Sequence, residues 1–433
     1  MMSSSSLSGM AEAPRLKILV SAFAASPGRG SEHAVGWEWA CSLARHYEVW
    51  VITRDTEKQE ILEYLRHHEN LQGSLHFAFV AWSERSSHTS LLHHFIYRLR
   101  YVRWQRDCYA LAINLHAQHK FDLAHHLNGT GFREPGLLWK LDIPFVWGPI
   151  GGLQYFPLRM RGAVSARDAV FFLLKNLSTW WMMHIASRPR LAARRAAVLI
   201  AATAENAGRI RSLWERDAVI LSEVTAPRCK VVAPVPRNPE KPLRILWCGG
   251  LDARKALIIL LKALGRISHV CFDWELIVLG TGALEGASKM QARALGIADR
   301  CRFMGNVSRS EVIAQMQSGH IFAHTCLYEL TGTVTVEALQ AGLPVLCFEH
   351  LAISQIIRQY HCGVAIAPQN MENAARGFSA AIQLLAEDEE LRLVMAKSAQ
   401  RAAVDFAAEV KEAIITEAYS RSLVPQVQGG GSL

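Results

Sequence analysis

Short apolar runs separated by helical stretches recur along this chain, and that alternation leaves few folds open. One set comprises "KILVSAF" (17–23), "EVWVIT" (48–53), "LHFAFVAW" (75–82), "DLAHHL" (122–127), "PFVWG" (144–148) and "AAVLIAA" (196–202). A second set comprises "PLRILWCGG" (242–250), "WELIVLGTG" (274–282), "CRFMGNV" (301–307), "HIFAHT" (320–325), "LPVLCFEH" (343–350) and "GVAIAP" (363–368). Runs this continuous are strands buried on both faces, so the pattern predicts parallel sheets covered by helices. At 433 residues the chain exceeds what one core supports, and two domains follow.

The Pro-spaced segment 233–242, "APVPRNPEKP", reads as a stiff linker between a domain at 17–232 and a domain at 243–405. The closing helical stretch 406–423 has no strand after it and is free to pack back on the first domain. The Ser-rich residues 1–16 and the Gly-rich residues 424–433 read as flexible tails without a secretory signal. Two doubly wound α/β domains would face each other across a cleft, where the C-terminal strand edges hold ligands.

Composition narrows the function. A chain with 50% hydrophobic and 20% charged residues folds as a soluble protein rather than staying disordered. A formal charge of +9 favours an anionic partner. The nine cysteines include no CxxC pair, which argues against zinc sites and disulfide frameworks and for a reducing compartment. The most apolar stretch, 169–186, is interrupted by Lys175 and Asn176, short of the ~20 residues that span a bilayer.

Three loops carry candidate chemistry. "ASPGRGSEHAVGWEW" sets Gly28 and Gly30 between a strand and a helix, fitting either a phosphate-approaching loop or a plain tight turn. "CGGLDARKALIILL" places Arg254 and Lys255 at a loop-to-helix junction, where cations oppose the helix dipole unless an anion joins them. Lys255 is expected at the surface there. "ELTGTVTVEALQAGLP" begins with Glu329 and places Glu337 eight residues on, two carboxylates able to accept hydrogen bonds from sugar hydroxyls. A further stretch, 93–106, mixes Arg98, Arg100, Arg103 and Arg106 with Phe95, Tyr97, Tyr101 and Trp104. With the aromatic run at 180–183 and the basic run at 188–195 it reads as a membrane-contact face or as an ordinary packing helix. No motif for nucleic acid accompanies it.

In this order the motifs resemble the retaining GT-B glycosyltransferases of family 4, the glycosyl transferases group 1, from Lys17 to about Leu423. The stretches that carry the resemblance are "SPGRGSEHAVGWEWACSLARHYEVWVITR", "LWCGGLDARKALIILLKAL" and "YELTGTVTVEALQAGLPVL". "FDLAHHLNGTGFREPGLLWKLDIPFVWGPIGG" is similar to a subgroup that builds bacterial polysaccharides. The resemblance implies a GT-B fold of two Rossmann-like domains and transfer of a sugar from a nucleotide-diphosphate donor to a glycan or lipid-linked acceptor. It implies no metal and no other cofactor.

By the same resemblance, Lys255 and Arg254 would take the diphosphate and Glu337 the ribose. Glu329, with the amides of Thr331, Gly332 and Thr333, would hold the donor sugar. Val307 would border the base, and Gly28 and Gly30 would close over the donor. His125 or His126 would reach the sugar or the acceptor hydroxyl. The implied setting is cytoplasmic, on the inner face of the plasma membrane. The family often has Arg where Gly250 stands and a Gly-containing turn where Leu351 and Ala352 stand. Those departures leave a second reading, a weakly active GT-B-fold binding partner of an active transferase.

Overall fold

The computed structural model describes residues 15–30, 32–82, 91–127, 131–226, 232–268 and 272–423. Two all-parallel sheets organise them. The first runs β3-β2-β1-β4-β5-β6-β7, with β1 Lys17–Ser21, β2 Glu48–Arg54, β3 Leu75–Val80, β4 Leu123–His126, β5 Phe145–Ile150, β6 Val198–Ala201 and β7 Val219–Ile220. The second runs β10-β9-β8-β11-β12-β13, with β8 Leu243–Cys248, β9 Trp274–Leu279, β10 Cys301–Gly305, β11 Ile321–His324, β12 Val345–Phe348 and β13 Gly363–Ile366. Every predicted run supplies one strand. Only the two-residue β7 had no signal, because Val219 and Ile220 are too short a run to stand out.

Both sheets reverse their winding beside their first strand, between β1 and β4 and between β8 and β11, and a ligand crevice opens at such a reversal. The strands are apolar because helices cover both faces. On the second sheet, helix Leu257–Arg266 buries Leu257, Ile259, Leu260, Leu261, Ala263 and Leu264 in a core shared with Phe378 and Ile382 of helix Met371–Glu387.

Helix Ala166–His184 starts where Ser165 accepts a hydrogen bond from the Asp168 amide at 3.1 Å, satisfying one of the amides that a helix start leaves orphaned. Helix Ala408–Leu423 returns to the first domain. Its Ile415, Ala418 and Tyr419 are buried among Ile18, Val20, Trp39 and Val146.

The two domains touch directly across the crevice. Gln154 Nε2 donates to the Glu329 carbonyl at 3.0 Å, and Ser222 Oγ donates to Thr331 Oγ1 at 3.0 Å. Leu330 sits on Gly151, where any Cβ would collide with its side chain. A larger residue at 151 would have to push the Leu330 side chain aside.

Candidate active site

A cavity of about 470 Å³ lies between the domains, lined by Glu32, Val35, Arg133, Gln154, Lys175, Glu223, Arg254, Tyr328 and Glu329 among others. Its second-domain wall is built by two loops from neighbouring strands. The loop after β8 bends at Gly249, whose φ of +155° suits glycine, and turns through Ala256 at φ +46°. Thr325 Oγ1 donates to the Lys255 carbonyl at 2.8 Å and the Leu327 amide donates to the Arg254 carbonyl at 2.8 Å, fastening that loop to the end of β11.

Glu329 is the hub. Lys255 Nζ lies 2.7 Å from both its carboxylate oxygens, Arg254 donates to Oε1 at 3.3 Å, and His324 Nε2 lies 3.0 Å from Oε2. Burial raises the pKa of this carboxyl, but the His324 hydrogen bond and the Lys255 charge outweigh it and hold the group well below the usual range. Gly332, at φ +81°, lets the chain pass close by, since a Cβ there would come within 2.9 Å of Glu329 Oε2. The surface position expected for Lys255 is corrected, because its side chain is 6% exposed and points into the cluster.

Glu337, the second carboxylate, sits apart on helix Thr333–Gln340, where Arg309 Nε donates to Oε1 at 3.1 Å. Burial raises its pKa while Arg309 lowers it. The two Glu residues thus have separate cationic partners. Val307 borders a further depression of about 270 Å³ with Gly249, Gly250, Gly280 and Thr281. Gly250 leaves room there, a Cβ standing 3.7 Å from Asp252 Oδ2.

Other expected residues are placed differently. The Thr331 amide, expected to face a sugar, donates instead to Glu223 Oε1 of the first domain at 3.2 Å. Gly332 and Thr333 do line the cavity. Gly28 and Gly30 do not. Their loop is exposed, with Ser26 Oγ donating to Glu60 Oε2 at 2.6 Å, and Glu32 and Val35 just beyond it reach the cavity.

Neither histidine faces the cavity. His125 Nε2 donates to the Gly148 carbonyl at 2.8 Å, so its Nδ1 accepts from Tyr419 Oη at 2.6 Å, and burial pushes its pKa down to about 4. His126 is buried against Gly136, and burial takes it to about 3. A reacting role for either is corrected to a structural one: β4 is buried on both faces, so both side chains end in core. Leu351 is likewise buried, behind the His350 Nε2 contact to the Leu327 carbonyl at 2.9 Å.

The sequence reading missed Arg133, Gln154, Lys175, Glu223 and His324. His324 had a local signal, five residues before Glu329 at a strand end. The other four come from the first domain, and no spacing links them to Glu329.

Among the described residues, one group of His, Cys and carboxylate side chains converges closely enough to hold a metal: His324, Cys326 and Glu329. Its chemistry does not suit a cation. The carboxylate already faces an ammonium and a guanidinium, and burial pushes the Cys326 thiol up to about 12, away from the thiolate that binds metal.

Residues 233–402 match the family model described as glycosyl transferases group 1. A glycogen synthase from Mycobacterium tuberculosis is 26% identical over 189 residues, covering 43% of this chain and 44% of that protein. The chain therefore spans less than half the length of that relative. Among solved structures, sucrose-phosphate synthase from Thermosynechococcus elongatus superposes with a TM-score of 0.66 at 15% identity, covering 94% of this chain and 99% of that one. The Anabaena protein HepE, solved in complex with UDP-glucose, gives 0.57 at 16% identity over 94% and 100%. These structural likenesses establish the GT-B fold.

Proposed function

Since residues 233–402 form a domain of the group 1 glycosyltransferase family, we propose that the chain transfers a sugar from a nucleoside-diphosphate sugar to an acceptor hydroxyl, with retention at the anomeric carbon as in family 4. The observation that carries this reading is the pair Arg254 and Glu329 on the wall of the interdomain cavity, with Lys255 buried against the Glu329 carboxylate.

In this mechanism Lys255 and Arg254 turn from Glu329 towards the diphosphate and stabilise the charge that grows there as the bond from the sugar to phosphate breaks. Glu337 accepts hydrogen bonds from the ribose, and the depression beside Val307 takes the base. The acceptor oxygen forms its bond to the anomeric carbon on the face the phosphate leaves, and its proton passes to the departing phosphate oxygen. The side chains position and neutralise, and none becomes covalently attached. No metal is required in this scheme, because two cations already stand where charge develops. The reading as an inactive partner rested on Gly250, Leu351 and Ala352, and the convergence of Arg254 and Lys255 on one carboxylate favours the enzyme.

Membrane contact belongs to the same proposal, its weight shifted from the stretch 93–106 to the helix that carries Trp180 and Trp181 of the expected face. Tyr101 and Trp104 of the basic aromatic stretch are buried. The outward face is helix Ala166–His184, where Val170, Leu173, Leu174, Leu177, Trp180 and Trp181 are each 44–57% exposed. Arg98 lies 3.8 Å from Met182 of this helix, and the nearby Tyr97 and Leu99 are exposed as well. An apolar stripe with arginines beside it suits an anionic bilayer surface. Among the described residues no helix is long and apolar enough to cross a membrane. A cytoplasmic enzyme held at the inner face of the plasma membrane fits these features.

The test of the transferase reading is a thermal-shift panel of UDP and GDP sugars followed by product analysis. A donor that raises the melting temperature and yields product with the donor's anomeric configuration supports it, and no shift with any nucleotide sugar rejects it.

A further inference from the structure

The first domain sends two cations into the 470 Å³ cavity, from the wall facing Arg254. Lys175, halfway along helix Ala166–His184, holds its Nζ 3.9 Å from the centre of the Tyr328 ring. Arg133 donates to Thr179 Oγ1, one turn further along that helix, and its guanidinium stands 5.2 Å from the centre of the Phe132 ring. Among the described residues, neither has a carboxylate within ion-pair distance. Arg254, on the opposite wall, has Glu329 and Asp252.

Partly buried cations without a counter-charge are costly, and burial, with Arg133 and Arg254 nearby, lowers the Lys175 pKa to about 8. Such an arrangement is stable when a bound ligand supplies the negative charge.

We propose that the acceptor carries a phosphoryl group and that Lys175 and Arg133 bind it. The inference rests on the transferase reading and adds the acceptor's chemical class. Two adjacent cations match a group that carries nearly two negative charges and three acceptor oxygens better than they match a single carboxylate. The donor's diphosphate already has Arg254 and Lys255 on the second domain, so the first-domain pair is left for the other substrate. That phosphoryl group belongs either to a soluble sugar phosphate or to a phosphorylated lipid.

Calorimetric titration of the full chain decides the matter, with the donor site first saturated by whichever of UDP or GDP binds. The probes are glucose 6-phosphate, farnesyl phosphate and, as a neutral control, glucose. At least one phosphate ester should bind where glucose does not, and which one binds identifies the source of the phosphoryl group. Lys175→Gln should weaken that ester roughly tenfold or more through loss of a charged hydrogen bond. Lys175→Arg should keep most of the affinity, and both variants should bind the nucleotide as the wild type does. The inference is overturned if no ester binds, or if Lys175→Gln binds it unchanged. It is also overturned if Lys175→Gln loses nucleotide affinity to the same degree, since the cation would then serve the donor. A chain that binds neither UDP nor GDP removes the transferase reading itself.

Discussion

Replacing Lys255 by Met removes the ammonium while keeping most of the side chain's length, and it tests the centre of the site. Breaking a buried ion pair by deleting one partner typically costs about 3–5 kcal/mol, because the other charge is left uncompensated. Glu329 keeps Arg254 at 3.3 Å and His324 at 3.0 Å, so a cost just below that range, about 2–3 kcal/mol, is expected here. For a domain of this size that corresponds to a fall in melting temperature of about 4–12 °C.

The effect should depend on pH in a defined direction. The folded Glu329 carboxyl is held below its ordinary value, so the contribution of the ion pair is complete above the unfolded carboxyl pKa of about 4.3. It fades as pH falls through the folded value, and the gap between wild type and variant should be full at pH 7 and narrow on acidification. Lys255→Met/Glu329→Gln, which removes both charges, should recover much of the loss. Thermal melts across pH, with titration of the nucleoside diphosphate, supply the readouts. A variant that melts with the wild type at pH 7 would refute the buried-pair argument. Unchanged diphosphate affinity would refute the role of Lys255 in binding the donor.

Three further outcomes follow from the geometry. Glu337→Gln keeps the shape but loses the charge facing Arg309, and should weaken nucleoside diphosphate binding by about 1–3 kcal/mol while sugar transfer at saturating donor stays near normal, as read by calorimetry and initial rates. Tyr419→Phe removes the donor to His125 Nδ1 and should lower stability by about 1 kcal/mol, measured by chemical denaturation, with diphosphate affinity unchanged. Replacing Leu173, Leu177, Trp180 and Trp181 by Ser should abolish sedimentation with anionic vesicles, whereas retained binding would move the membrane face elsewhere.

The strands were legible because a strand buried on both faces writes itself as a continuous apolar run, and both sheets follow from that signal. The second-domain half of the candidate site could be picked out for a related reason. Arg254, Lys255, Glu329 and Glu337 lie on two loop-and-helix segments whose motifs are local in sequence. The histidines were misplaced because sequence does not say which way a side chain leaves a strand covered on both faces. Lys175 was read as an interruption of an apolar stretch. It is the polar face of a helix whose other face is apolar, and only the fold reveals that it meets Tyr328 of the other domain.

The return of the last helix has a consequence for the order of assembly. Tyr419 meets His125 across 294 residues of chain, and Ile415 and Ala418 fill the same core as the strand that opens the first domain. During synthesis the first domain is therefore made early but cannot close early. Its apolar face waits until the second domain has emerged and the final segment can swing back, which exposes an unfinished core for most of translation. A nascent chain stalled before residue 408 should hold a folded second domain beside an open first one, making the C-terminal segment the latch of the N-terminal domain.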